Sequence, residues 1–137
     1  MKNKISAISE KLFPSLMDFC KKIIQTPSLS GQEASVAKLI SEEMQKLGYD
    51  EVFTDEWGNV IGIVKGSEAG PTIMYNGHMD TVPIGDLSSW GEYDPYGAEI
   101  DQSVMQNPLT GNDEKAEVIH GRGSGDLKCN LASQIYA

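Results

Sequence analysis

Apolar residues recur at helical spacing in the first part of the chain. Before the break at Thr26-Pro27-Ser28, four of them lie three or four residues apart and predict a helix over residues 16–24: Leu16, Phe19, Cys20 and Ile23. Pro14 suits the first turn of this helix, where its missing N–H costs nothing. A longer apolar stripe predicts a second helix: Val36, Leu39, Ile40, Met44 and Leu47.

Both ends of the second helix carry sequence signals. Ser30 and Glu33 are spaced as in a capping box, in which each side chain satisfies a backbone donor at the start of the helix. Gly48 is placed to end the helix in a left-handed conformation. These signals predict a helix that begins shortly after Ser30 and ends at Gly48.

Three runs downstream of the second helix are typical of β-strands. Residues 51–54 and 60–64 predict two strands joined by a turn at Trp57-Gly58-Asn59. The run Thr72-Ile73-Met74-Tyr75-Asn76 is largely apolar rather than alternating, so we expect a third strand with both faces covered. Helices that precede such strands indicate an α/β layered domain.

The second half of the chain is less regular. Residues 84–117 are rich in Gly, Asp, Pro and Asn and predict an extended surface loop. A short strand over 117–120 and a glycine-rich bend over 121–125 are expected to follow. A helix is expected from Leu127 onward, with Leu127, Leu131 and Ile135 at four-residue spacing. That helix reaches Ala137 without a stop signal, which favours a truncated chain, and no linker divides residues 1–137.

Charge and cysteine content narrow the classes of function. The net charge of −9 argues against nucleic acid or an anionic membrane as partner, because phosphate groups demand a basic surface. We find no apolar run of roughly 20 residues that could span a bilayer and no signal-peptide core. Cys20 and Cys129 do not form a disulfide framework, so we interpret them as reduced, packed thiols of a cytoplasmic protein.

The first candidate for chemistry is the pair formed by His78 and Asp80, which follows the third predicted strand. Sites in α/β sheets form where strands end, and a neutral imidazole there is a good zinc ligand. Asp80 lies two residues on, so in extended backbone it points to the same side and can orient the imidazole. The ordinary alternative is a hydrogen bond between the two side chains at a strand end.

The second candidate is Asp126, which follows the glycine-rich run Gly121-Arg122-Gly123-Ser124-Gly125. One carboxylate can hold two cations roughly 4 Å apart, as in co-catalytic metal pairs, although Asp126 could instead cap the last helix. A dinucleotide loop is a weaker alternative, because Asp126 replaces the third glycine of the fingerprint. Arg122 could bind a substrate carboxylate, but pairing with a nearby acid is its more ordinary role.

Together these motifs resemble one family. The runs are Gly77-His78-Met79-Asp80-Thr81-Val82-Pro83, then Asp94-Pro95-Tyr96, then Gly121-Arg122-Gly123-Ser124-Gly125-Asp126-Leu127-Lys128. They are similar to the zinc exopeptidases and deacylases that include acetylornithine deacetylase, succinyl-diaminopimelate desuccinylase and carboxypeptidase G. The resemblance covers nearly the whole chain and corresponds to the N-terminal part of the family's catalytic domain.

The resemblance implies a fold and a site. The fold would be the N-terminal part of a three-layer α/β domain, whose mixed, mostly parallel sheet is flanked by helices. His78 would be a metal ligand, Asp80 the catalytic acid that supports it, and Asp126 the ligand that bridges two zinc ions, with cobalt or manganese as other suitable metals. The lid or dimerisation domain and the remaining ligands would lie outside residues 1–137.

The implied activity is hydrolysis of amide bonds in N-acyl amino acids or small peptides, by an enzyme that could form a homodimer. The 137-residue chain itself is then expected to be inactive, because two ligands are too few for a tight zinc site. A degenerate, non-catalytic relative that binds metal weakly or not at all is the alternative. His120, the only other histidine, is expected to be a packing residue.

Overall fold

A computed structural model describes residues 2–107 and 109–137 of the chain. Its regular elements are three α-helices, four β-strands, one 3-10 helix and one π-helical turn. In chain order they are α1 Lys2–Ile24, α2 Ala34–Leu47, β1 Glu51–Thr54, β2 Val60–Ile63, the 3-10 helix Leu87–Trp90, β3 Glu99–Gln106, β4 Asp113–His120, the π-turn Ser124–Lys128 and α3 Cys129–Ile135.

The core lies where the three helices meet. The apolar faces predicted for the first, second and last helices supply it, which confirms those three patterns. Its buried members are Phe19, Cys20, Ile23, Val36, Ile40, Leu131, Ala132 and Ile135. Cys20 is buried and hydrogen-bonds the free thiol of Cys129, which together with burial raises the pKa of Cys20.

The strands form two separate antiparallel pairs. Strand β1 pairs with β2, with Glu51 opposite Ile63, and β3 pairs with β4, with Glu99 opposite His120. The parallel contact among the described residues is a single bridge between Leu29 and Thr81. The chain is therefore mixed α/β, as predicted, but the described residues do not by themselves form a mostly parallel sheet between layers of helices.

The predicted third strand at residues 72–76 is wrong for this structure. Ile73 and Met74 are 77% and 81% exposed, and no described strand pairs with this segment. An apolar run forms a buried strand only when neighbours cover both of its faces. The segment therefore keeps the composition of a covered strand without the contacts that would make it one.

The loop predicted over residues 84–117 is also wrong in large part. Residues 99–106 and 113–120 pair as the β3–β4 hairpin, and a 3-10 helix occupies Leu87–Trp90. Hydrophobic periodicity does not predict this hairpin, because its strands are mostly exposed and polar and lack the apolar alternation of a half-buried strand. The strand predicted over residues 117–120 is confirmed as the end of β4.

Helix ends follow the predictions only in part. Helix α1 begins at Lys2, so Pro14 lies inside it rather than in its first turn, since no Gly or Pro interrupts the preceding residues. The capping box is wrong, because Glu33 binds the backbone N–H of Gly31 and the Ser30 hydroxyl donates to Asp80 instead. Gly48 ends α2 in the left-handed conformation, with φ of 84°, as predicted.

Glu43 is a buried acid on α2. Burial acts to raise its pKa, but hydrogen bonds from the Tyr136 hydroxyl and from Lys46, at 2.9 Å, outweigh burial and lower it. These contacts connect α2 with the residue that follows α3. None of the helices within the described ranges is long and apolar enough to cross a membrane.

Candidate functional site

The first arm of the site, residues 78–81, is fixed by the loop between α1 and α2. We call residues 25–33 the anchor loop. Ser28 accepts the N–H of Thr81 at 2.7 Å through its carbonyl oxygen, and its hydroxyl donates to the carbonyl oxygen of Met79 at 2.8 Å. The Ser30 hydroxyl donates to the carboxylate of Asp80. Backbone and side-chain bonds together hold the first arm in an extended conformation beside this loop.

The second arm, residues 121–128, is the glycine-rich bend and the π-turn. Gly123 adopts φ of 86°, and a Cβ there would stand 2.6 Å from Cγ2 of Thr81 in the first arm. Glycine at this position therefore permits both the left-handed turn and the close approach of the two arms. The bend predicted at this run is confirmed.

Lys128 fastens the second arm to the end of α1. Its side chain is fully buried, and its ammonium group donates to the carbonyl oxygens of Ile23 and Thr26, each at 2.7 Å. Burial lowers the pKa of Lys128 to about 8. Both arms are thus attached to the same short stretch of chain, the end of α1 and the anchor loop.

This shared attachment brings His78 and Asp126 together. Their Nε2 and Oδ1 atoms are 3.0 Å apart, although 48 residues separate them in sequence. The imidazole is about half exposed and the Asp126 carboxylate is 90% exposed, so the pair faces solvent. The predicted convergence of these two side chains is present in the structure, while their roles as ligands stay predictions.

Asp80 occupies the other side of the His78 ring. Nδ1 of His78 lies 3.0 Å from the backbone oxygen of Asp80 and 3.1 Å from its Oδ1. The bond to Asp126, followed by the bond to the backbone of Asp80, raises the pKa of His78. The bond from Ser30 is the main cause that lowers the pKa of Asp80.

Both ring nitrogens of His78 face oxygen acceptors, so both donate when the ring is protonated. The proton on Nε2 therefore lies between an imidazole nitrogen and a carboxylate oxygen. These two donor types are the ones that zinc, cobalt and manganese accept, and metal binding displaces such a proton.

The donor pair suits a cation in distance as well as in chemistry. Two ligand atoms of a tetrahedral zinc stand about 3.3 Å apart, from bonds of roughly 2.0–2.1 Å, so the observed 3.0 Å needs only a small opening. Among the described residues, however, no group of three His, Cys, Asp or Glu side chains is arranged to hold one ion. The chain supplies part of a metal site.

Arg122 lies in the wall of the cleft beside this pair. The cleft has a volume of about 350 Å³, and His78, Asp126 and Arg122 are among its lining residues. The guanidinium lies 5.0 Å from the ring centre of Trp90, and its Nη2 donates to the Ile84 carbonyl oxygen at 3.4 Å. Within the described ranges Arg122 forms no ion pair, so the ordinary pairing with an acid is not observed.

His120 packs outside the cleft, as predicted. Its ring stacks on Tyr93 with centroids 3.8 Å apart, and its Nε2 lies 3.0 Å from Oδ1 of Asp101. Bonds from Tyr93, His120 and Ser103 lower the pKa of Asp101 to about 2. This cluster holds the base of the β3–β4 hairpin next to Gly121, where the second arm begins.

Sequence reasoning missed the residues that anchor the two arms. The sequence predicts no role for Lys128 beyond its place in a motif, and it predicts a helix break at Ser28 and a helix cap at Ser30. The sequence signal that could have identified Lys128 is its position: it is a lysine where the amphipathic helical pattern predicts an apolar residue. By contrast, nothing in the sequence indicates that the carbonyl oxygens of Ile23 and Thr26 are its acceptors.

Comparison with known proteins finds relatives that are similar over most of this chain. The chain is 36% identical over 121 residues to Uncharacterized protein YgeY of Escherichia coli K12, covering 87% of this chain and 25% of that protein. It is 30% identical over 132 residues to succinyl-diaminopimelate desuccinylase of Hahella chejuensis, covering 95% and 30%. The desuccinylase of Buchnera aphidicola subsp. Baizongia pistaciae is 31% identical over 124 residues, covering 90% and 28%.

No family model matches the chain. The chain spans about a quarter of the length of the curated relatives it matches, between 25% and 30%. Nearly all of this chain is thus related in sequence to a limited part of proteins that include two named as desuccinylases.

Proposed function

We propose that this chain is part of the catalytic domain of a metal-dependent hydrolase that cleaves amide bonds in N-acyl amino acids or small peptides. The observation that carries the proposal is the 3.0 Å approach of His78 Nε2 to Asp126 Oδ1 across 48 residues of sequence. The similarity to proteins named succinyl-diaminopimelate desuccinylase supports the same class of reaction, since desuccinylation breaks an amide bond. The complete domain would have the three-layer α/β architecture.

In this proposal His78 and Asp126 would be metal ligands, with Asp126 shared between two ions, and zinc is the expected metal with cobalt or manganese as substitutes. Asp80 is a positioning residue: it accepts from Nδ1 of His78 and so leaves Nε2 as the ligand atom. A bound metal pair would supply a polarised substrate carbonyl and a water of lowered pKa. The open, exposed position of the pair leaves room for a small substrate or a peptide end.

The described residues provide only part of a catalytic metal site. Catalytic zinc sites usually have three protein ligands, and this pair provides two. No described acid other than Asp80 and Asp126 lines the cleft that contains Arg122. The general base that takes a proton from water would therefore come from elsewhere in a longer protein. We therefore expect weak metal binding and no hydrolysis by the 137-residue chain, with a homodimer as one possible form of the complete enzyme.

Cobalt titration followed by visible absorption tests the ligand assignment. We expect a saturable cobalt spectrum for the unaltered chain, weakened about tenfold or more in His78→Ala and in Asp126→Asn, since each loses one of two ligands. His120→Ala and Asp86→Asn are matched controls, because they remove a histidine and an exposed aspartate that bond Asp101 and Ser88 and do not line the cleft. Both controls should bind cobalt like the unaltered chain.

The outcomes separate the proposal from its main alternative. Cobalt binding that is unchanged by both site substitutions would remove His78 and Asp126 as ligands. A folded chain that binds no cobalt at any concentration would favour a degenerate relative without a metal site. Circular dichroism of each variant establishes that a loss of binding is not a loss of fold.

A further inference from the structure

Arg122 is the only arginine in the sequence, and no carboxylate pairs with it inside the described structure. No Asp or Glu among the described residues lies within ion-pair distance of it. Its Nε is out of contact with solvent and has no acceptor there, and its one hydrogen bond is the long contact to Ile84. A guanidinium has five N–H donors, so protein atoms meet only a small part of its hydrogen-bonding capacity.

The position of this guanidinium is held from several directions. The Arg122 backbone N–H donates to the Pro95 carbonyl oxygen at 2.7 Å, and the Trp90 ring covers the guanidinium at 5.0 Å. The Trp90 indole N–H in turn donates to the Ile84 carbonyl oxygen at 2.8 Å. A planar cation that is fixed in place loses less freedom on binding an anion than a free surface lysine.

The same cleft contains the carboxylates of Asp80 and Asp126, which act against an anion. Asp80 is balanced by the bonds from Ser30 and His78. Asp126 is balanced when it holds a cation together with His78, so an anion at Arg122 fits best once a metal is present. A cation held by His78 and Asp126 would then share the cleft with the Arg122 guanidinium, and two positive centres suit a substrate that carries a carboxylate near its amide.

We propose that Arg122 is the recognition site for a carboxylate of the substrate, and that it selects N-acyl amino acids and peptides with a free carboxylate near the amide. This inference rests on the proposed function, because it places the carboxylate next to the metal-bound amide. Arginine suits this role better than lysine, since its planar fork can donate two parallel hydrogen bonds to one carboxylate.

N-acetylglycine and its neutral amide, N-acetylglycinamide, are the test ligands. Because Arg122 is the sole arginine, its Nε–H gives a single, unambiguous signal in ¹H–¹⁵N spectra of the full chain. We expect N-acetylglycine to shift this signal in a saturable way, more strongly with zinc present, and the neutral amide to leave it in place. Arg122→Gln should weaken binding at least about tenfold, measured from backbone amide shifts.

Two further variants keep the test decisive. Arg122→Lys retains the charge without the fork and should bind with intermediate affinity, which matters if Arg122→Gln unfolds. Lys115→Gln removes an exposed cation on β4 that is not part of the cleft lining, and it should leave N-acetylglycine binding unchanged. No saturable shift with or without zinc, or an equal shift with the neutral amide, would overturn the assignment of Arg122.

Failure of this inference is distinguishable from failure of the proposed function. Arg122→Gln should bind cobalt like the unaltered chain, because Arg122 is not a ligand. Cobalt binding at His78 and Asp126 without any carboxylate response would remove the Arg122 site alone. A carboxylate response without cobalt binding would leave an anion site and favour a degenerate relative without a metal site.

Discussion

A Lys128→Met substitution removes the cation that joins the second arm of the site to the end of α1. Methionine keeps most of the side-chain volume, so the change isolates the ammonium group and its two bonds to Ile23 and Thr26, each 2.7 Å long. Lys128 is fully buried, and no water can replace those donors without rearrangement.

The expected cost follows from the two carbonyl oxygens that lose their donor. A buried acceptor without a partner costs about 1–3 kcal/mol, so two of them would cost about 2–6 kcal/mol, which is an upper limit because the Thr26 contact is only part-buried. Ile23 retains a long contact from the N–H of Thr26, at 3.4 Å, and the buried ammonium no longer has to be desolvated, which places the net loss at about 2–4 kcal/mol. That is a large part of the roughly 5–15 kcal/mol stability of a typical domain.

Urea unfolding followed by circular dichroism measures this loss, with Lys38→Met as the control. Lys38 is an exposed lysine whose contact with Glu42 is 3.8 Å long, so its replacement should change the unfolding free energy by less than about 0.5 kcal/mol. The reasoning is refuted if Lys128→Met unfolds at the same or a higher urea concentration than the unaltered chain. That result would mean that removing the buried charge offsets the loss of both bonds.

Three other substitutions probe separate features. Gly123→Ala should cost about 1–3 kcal/mol in urea unfolding, from its φ of 86° and the 2.6 Å contact with Thr81, whereas Gly125→Ala, with open space around it, should cost less than about 0.5 kcal/mol. The pKa of Glu43 is lowered in the folded chain, so its ionised form stabilises the fold at pH values above its unfolded pKa of about 4.3. This stabilisation is lost as the pH falls through the folded pKa. Glu43→Gln should therefore flatten the loss of unfolding free energy between about pH 5 and pH 3, and an unchanged pH profile would contradict this. Ile73→Thr should reduce self-association in sedimentation velocity by making an exposed apolar segment polar, which an unchanged mass distribution would disprove.

The helices were readable from the sequence because their apolar faces are continuous and are buried against one another. Phe19, Ile40 and Ile135 all lie in the core that the periodicity predicts. The convergence of His78 and Asp126 was predictable for a different reason: each belongs to a motif, and the motifs together resemble those of one family. Neither prediction required a knowledge of the strand order.

The features that the sequence did not predict depend on pairing and long-range contacts that local sequence patterns do not report. The β3–β4 hairpin is held by backbone pairing between polar strands, and periodicity does not report such pairing. Ser30 has the spacing of a helix cap, but Asp80 is a better acceptor within its reach, so a long-range bond replaces the local one. Residues 72–76 show the converse case, in which a pattern that predicts burial is present and the covering neighbours are not.

This last difference bears directly on the metal site, because residues 72–76 lead into His78. On its C-terminal side His78 is fixed by the bonds of Met79 and Thr81 to Ser28. On its other side, residues 66–77 make no hydrogen bonds within the described ranges. A strand that paired with 72–76 would hold the backbone on both sides of the imidazole and restrict its motion. Ordering costs about 1–2 kcal/mol per residue, so covering this segment would raise metal affinity even without adding a ligand.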